Sequence, residues 1–169
     1  MPLNVLAPWA EPVPGQRGLL TADELAHLPD GPWNYELVEG RLVRMPLAGT
    51  DHGGIAADLL LELGIFVRAN ARGRVFTAET GFMLSEPGQP DTVLGADAAF
   101  VRADRLPHRS KEDRHGFWRL APDLVAEVAS PDQFRPEMAA KARAWLAAGV
   151  HLVWVVWPCR EQVDVWRGD

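Results

Sequence analysis

Three charged residues stand where charge is costly. Asp97 lies in Gly95-Ala96-Asp97-Ala98-Ala99-Phe100-Val101, and Glu127 lies in Asp123-Leu124-Val125-Ala126-Glu127-Val128-Ala129-Ser130. Both segments read as buried strands, and Lys141 follows on the next helix. A carboxylate in an apolar strand must be paired, hydrogen-bonded or bound to a metal. Leu124, Val125, Ala126 and Val128 break strict alternation, which puts Glu127 in or beside the core. Two such carboxylates and a backbone carbonyl, that of Val128, are hard oxygen donors for Mg2+ or Mn2+. An ion held there polarises a phosphodiester and acidifies an attacking water. The alternative for either acid alone is a surface carboxylate on an alternating strand.

Lys141 sits three residues after Met138 and four before Trp145, so it borders the apolar stripe of its helix. Its amine can reach back over the sheet edge and offset charge on phosphoryl oxygens. The competing readings are a snorkelling lysine and a structural salt bridge to Glu127.

The elements that must position these groups follow from local pattern. Thr21-Ala22-Asp23-Glu24 is a capping box and starts a short helix to about Leu28. Tyr35–Val38 and Arg41–Met45 flank Glu39-Gly40 as a hairpin. Thr50 or Asp51 caps a long helix to about Ala71, with Ile55, Leu59, Leu63, Phe66 and Val67 on one face. Strands are predicted at Arg74–Glu79, Gly81–Leu84, Gly95–Arg102 and Asp123–Ala129. Pro136 suits the first turn of a helix that stops at Gly149, and strands His151–Trp157 and Gln162–Trp166 follow. The expectation is an extended, proline-rich arm over residues 1–20, then one α/β domain over residues 21–169 with a mixed sheet flanked by helices.

Composition narrows the class. A chain of 169 residues can bury a real core, and its single cysteine, Cys159, cannot form an internal disulfide. The N-terminus lacks a signal-peptide pattern, and Leu152–Trp157 is too short to span a membrane. A soluble, cytoplasmic protein is expected. The net charge of −6 argues against indiscriminate nucleic-acid binding, though not against a nuclease whose acids recruit metal.

The blocks also follow a known order: Tyr35-Glu36-Leu37-Val38-Glu39-Gly40, His52, Ala96-Asp97-Ala98-Ala99-Phe100-Val101, Ala121–Pro131 around Glu127, Lys141, and Ala148-Gly149-Val150 into Val153–Val156. From about Thr21 to Arg167 the chain resembles the Uma family of endonucleases, in the PD-(D/E)XK restriction-endonuclease-like superfamily. The resemblance implies a core ordered helix, strand, strand, strand, helix, strand, which the reading above meets if Arg74–Leu84 is one bent strand. It implies that Asp97 and Glu127 are metal ligands and that Lys141 is the catalytic lysine, displaced from the position occupied by Ala129. It also implies that Glu36 is a second acid and His52 an imidazole that positions water or phosphate. Taken singly, Glu36 reads equally as the polar member of a hairpin strand, and His52 as an exposed first-turn residue. Ala96 replaces the usual proline, Trp145 stands where a tyrosine hydroxyl is common, and the chain stops sooner than the family does, as a shortened or degenerate copy would.

Arg102 to Arg119 carries Arg105, His108, Arg109, Lys111, Arg114 and His115, a basic loop able to contact a nucleic-acid backbone. Trp118 within it is a candidate for base stacking. Glu79 and Ser130 are weaker site candidates, and Asp123 reads as a turn residue. The leading expectation is a metal-dependent endonuclease acting on DNA, working as a homodimer whose apolar closing strands supply the interface. The alternatives are an inactive binding protein that keeps the nuclease fold and a hydrolase of another phosphate ester.

Overall fold

The computed structural model describes residues 11–29, 33–45, 47–106 and 116–168. Among these residues, eleven strands and three α-helices form two mixed sheets flanked by helices. The first sheet runs β1-β3-β2-β6-β5-β8 and the second β11-β10-β9-β7-β4.

In the first sheet, β2 (Asn34–Val38) and β3 (Arg41–Met45) make the expected hairpin. Glu39 and Gly40 both have positive φ, the two-residue turn that suits strand twist. The short β1 (Glu11–Pro12) pairs with β3. Helix α1 (Ala22–Ala26) starts at the expected capping box: Glu24 N–H donates to the Thr21 hydroxyl, and the Glu24 carboxylate accepts from Thr21 N–H. Its Ala22 and Leu25 are buried with Leu37, Leu42 and Val93.

The second sheet carries the helix–strand–strand–strand–helix–strand order as α2, β4, β7, β9, α3, β10. That order arises differently from the expectation. Arg74–Leu84 is not one bent strand, because β4 (Gly73–Thr77) belongs to the second sheet and β5 (Gly81–Met83) to the first. The expected strand Gly95–Arg102 is likewise split. β6 (Val93–Gly95) closes in the first sheet and β7 (Ala98–Arg102) opens in the second, so Ala96 and Asp97 bridge the two. The short β8 (Trp118–Arg119) joins β5 in parallel.

Between β9 (Leu124–Val128) and β10 (Leu152–Trp157), which pair in parallel, runs α3 (Arg135–Ala147). Met138, Ala142 and Trp145 of α3 share a core with Val153, Val155 and Trp157 of β10. The helix ends at Gly149, in the left-handed region as expected. β11 (Gln162–Arg167) pairs antiparallel with β10 and forms the far edge.

Helix α2 (Thr50–Ala69) differs in two details. Gly49 is its N-cap and no side chain caps it, so neither Thr50 nor Asp51 plays that part. Phe66 is 59% exposed, off the face predicted for it, while Val67 is buried. No helix among the described residues is long and apolar enough to cross a membrane.

The α2–β4 turn depends on Gly73. Its φ is +150°, and a Cβ there would lie 2.0 Å from the Val101 carbonyl oxygen and 2.8 Å from the Ala103 nitrogen. Both obstacles are backbone and cannot swing away. Gly73→Ala should therefore lower the unfolding free energy by roughly 2–3 kcal/mol or more, read from urea denaturation. An unchanged midpoint would show that β4 shifts freely against β7.

Candidate functional site

The split between β6 and β7 places Asp97 at the seam of the two sheets, just before β7 rather than inside a strand. The β7–β9 ladder runs out at Ala98 opposite Ala126. Beyond that point the Asp97 side chain takes over the pairing: its Oδ2 accepts the Val128 N–H at 2.7 Å. His52, in the first turn of α2, brings Nε2 to 3.2 Å from the same oxygen. The imidazole also interacts with the Val128 backbone carbonyl. His52 and Asp97 side chains keep 15% and 17% of their surface exposed, which makes this pair the open side of the site.

Glu127, Lys141 and Glu36 form the closed side. Lys141 Nζ lies 2.9 Å from Glu127 Oε2 and 3.8 Å from Glu36 Oε1. All three side chains are buried. Glu127 projects from β9 towards α3 because it pairs with Val155, on the buried face of β10. Lys141 and Trp145 are one helical turn apart, so both meet it. Trp145 Nε1–H donates to Glu127 Oε1 at 2.7 Å. The indole thus gives Glu127 a second donor, where the sequence pointed only to a lost hydroxyl. Glu36 enters from the first sheet, with Oε1 accepting the Gly95 N–H at 2.8 Å. Its other oxygen, Oε2, is buried with no hydrogen-bond partner among the described residues, as is His52 Nδ1.

Three carboxylates therefore surround one ammonium. Burial opposes the charge on Lys141, but Glu127, Glu36 and Asp97 outweigh it and hold the amine protonated well above its ordinary range. Burial pushes the Glu127 carboxyl up to about 7, against the pull of Lys141 and with help from the Asp97 charge. Burial likewise raises Glu36, against Lys141 and the Gly95 N–H. Burial would also raise Asp97, but the His52 hydrogen bond, the Val128 N–H and Lys141 leave it below the usual aspartate range. The Asp97 hydrogen bond raises the His52 imidazole, outweighing its partial burial. One lysine cannot neutralise three buried acids, so the pocket retains a proton or takes up a cation.

Among the described residues, no group of three or more His, Cys, Asp and Glu side chains forms a ready-made metal centre. The donor chemistry still suits a hard divalent ion. Asp97, Glu127 and the Val128 carbonyl are oxygen donors, surplus negative charge surrounds them, and Glu36 Oε2 is unpartnered.

The remaining candidates fall elsewhere. Asp123 is no simple turn residue: it is buried, accepts the Arg102 N–H at 2.8 Å and pairs with Arg105 at 2.7 Å. Trp118 packs edge-on against Phe76 at 5.3 Å, so it is half-buried packing and not an open stacking platform. Glu79 is exposed in the turn after β4, and the Ser130 N–H is held by Gln133. His108, Arg109, Lys111, Arg114 and His115 lie outside the described residues.

Residues 22–169 match the Uma2 family model, described as "Putative restriction endonuclease". A solved structure with the same fold is a putative nuclease belonging to DUF820 from Anabaena variabilis ATCC 29413. It superposes with a TM-score of 0.73 at 22% identity, covering 89% of this chain and 80% of that one. None of the curated proteins matches the chain by sequence.

The charge imbalance makes a prediction. A carboxyl whose pKa is higher in the folded than in the unfolded state binds its proton more tightly when native. The stability it contributes is complete below its ordinary value of 4.5 and is lost as pH rises through about 7. In chelator, Glu127 should cost the wild type on the order of 3 kcal/mol between about pH 4.5 and pH 8. Glu127→Gln should flatten most of that decline in urea titrations across pH. Parallel wild-type and variant profiles would show that Glu127 titrates in its ordinary range.

Proposed function

This chain belongs to the Uma2 family of restriction-endonuclease-like proteins, and from that membership we propose that it is a metal-dependent endonuclease hydrolysing DNA phosphodiesters. The observation that carries this reading is the buried surplus of carboxylates around Lys141, opening to solvent at Asp97 and His52. Asp97, Glu127 and the Val128 carbonyl would hold Mg2+ or Mn2+. When bound, the ion supplies a polarised phosphoryl oxygen and a more acidic water.

The chain's own groups then have separate tasks. Lys141, kept as an ammonium by its acidic neighbours, offsets negative charge developing on the phosphoryl oxygens. His52 can hold or release a proton at Nε2, on the open side of the site. Glu36, anchored by Gly95 and facing Lys141, keeps the lysine between the two sheets. Glu127 is oriented by the Trp145 indole on one oxygen and by Lys141 on the other.

That last pair of contacts also favours a second reading. Both Glu127 oxygens already have donors, as in a closed structural salt bridge. An inactive, nuclease-fold binding protein would keep this arrangement and take up no metal.

Calorimetric titration of Mg2+ and Mn2+, with supercoiled-plasmid cleavage measured in the same samples, separates the two. Under the nuclease reading the wild type binds metal saturably and cleaves, and Asp97→Asn and Glu127→Gln lose both. Lys141→Met keeps metal binding and loses cleavage by roughly 10²- to 10³-fold. A folded wild type with no saturable metal binding would leave the binding-protein reading. Metal binding with hydrolysis of a small phosphodiester but not of plasmid would move the substrate away from DNA.

A further inference from the structure

Both oxygens of Glu127 are already in use. Oε2 accepts from Lys141 Nζ at 2.9 Å and Oε1 from Trp145 Nε1 at 2.7 Å, and both contacts are buried. A divalent cation on this carboxylate would share it with two donors, one of them an ammonium. Like charges on one carboxylate repel strongly in a buried site. One donor must therefore give way.

The two donors differ in what holds them. Trp145 has no exposed surface and shares a core with Val153 and Val155, so moving its ring would open a cavity. Its indole is also neutral, which leaves it compatible with an ion on the other oxygen. Lys141 carries its charge at the end of a flexible stem and can move its amine by side-chain torsions alone.

Glu36 is the acceptor within reach of that amine. Its Oε1 lies 3.8 Å from Lys141 Nζ, so a shift of roughly 1 Å brings the two to hydrogen-bond distance. Oε2 is buried and has no hydrogen-bond partner among the described residues, and the side chain is only 7% exposed. The Gly95 N–H fixes Oε1, so the carboxylate is held beside the lysine in advance. A buried carboxylate with an idle oxygen is costly, and an arriving ammonium offsets that cost.

We infer, on the premise taken from the nuclease reading that Glu127 ligates a divalent cation, that Glu36 is the positioning residue for Lys141: loading the site moves the ammonium from Glu127 to Glu36. Glu36 belongs to the first sheet and Glu127 to the second, so the shift carries the amine across the seam. Lys141 closes Glu127 while the ion is absent, and it stays charged and inside the site when the ion is present.

A double-mutant cycle on the full chain tests this, read as Mn2+ affinity by calorimetry and not as cleavage. Glu36→Gln keeps an amide oxygen for the Gly95 N–H and loses the charge. It should weaken Mn2+ binding at least about tenfold with Lys141 present, and no more than about threefold in a Lys141→Met background, where no ammonium has to move. Equal losses in the two backgrounds would make Glu36 a ligand or a bystander charge and overturn the inference. Unchanged affinity with Lys141 present would overturn it too. Circular dichroism without metal checks that each variant folds. Wild-type crystals give a second reading that needs no variant: with Mn2+ bound, Lys141 Nζ should lie within about 3.2 Å of a Glu36 oxygen and farther than that from Glu127. A lysine still on Glu127 in the loaded crystal overturns the inference and leaves the nuclease reading intact. A folded wild type with no saturable Mn2+ binding removes both.

Discussion

The Lys141 ammonium is the point on which the rest of the structure depends. Burying an isolated ammonium costs several kcal/mol or more, and here the cost is met by carboxylates from three separate places. Glu127 comes from β9, Glu36 from the first sheet, and Asp97 from the link between the sheets. Because these acids come from both sheets, the lysine also acts as a cross-link between them. The same residues that would perform chemistry therefore hold the two halves together.

The location of the site follows from the switch of one chain segment between sheets. Where β6 leaves the first sheet and β7 enters the second, the backbone of Ala96 and Asp97 belongs to neither ladder. The Val128 N–H loses its backbone partner there, and the Asp97 carboxylate supplies one. A seam of this kind needs side chains with hydrogen-bonding capacity, because buried backbone groups cannot go unpaired. Asp97 Oδ2 meets both the Val128 N–H and the His52 imidazole, so a structural need and a binding opportunity coincide at one carboxylate.

Much of this was legible in the sequence, and the exceptions share a cause. The capping box at Thr21, the Glu39-Gly40 turn and the Pro136–Gly149 helix are set by short-range rules, and each element formed at its predicted place. The burial of Glu127 could be read from failed alternation in its strand. The division into two sheets could not, because Ala96-Asp97-Ala98 contains no proline or glycine to mark a break, and strand partners are chosen over long range. Trp145 was missed as a donor to Glu127 although its spacing from Lys141 carried the signal. Two residues four apart on one helix face reach the same strand, so a lysine aimed at Glu127 implies that Trp145 is too.

The balance at this site sets proton and cation against each other. Burial pushes the Glu127 carboxyl up to about 7, so it holds a proton more tightly than an ordinary glutamate does. A divalent ion adds the positive charge that the proton otherwise provides, so it would displace that proton and draw Glu36 and Glu127 fully into the ionised state. The pocket is therefore least comfortable where it is best prepared to bind: deprotonated and without an ion. Replacing the acids with apolar residues would relieve that tension and remove the reason for burying Lys141 at all. Three carboxylates around one lysine, at the open seam of two sheets, are a costly way to build a core, and a cation held there would lower that cost.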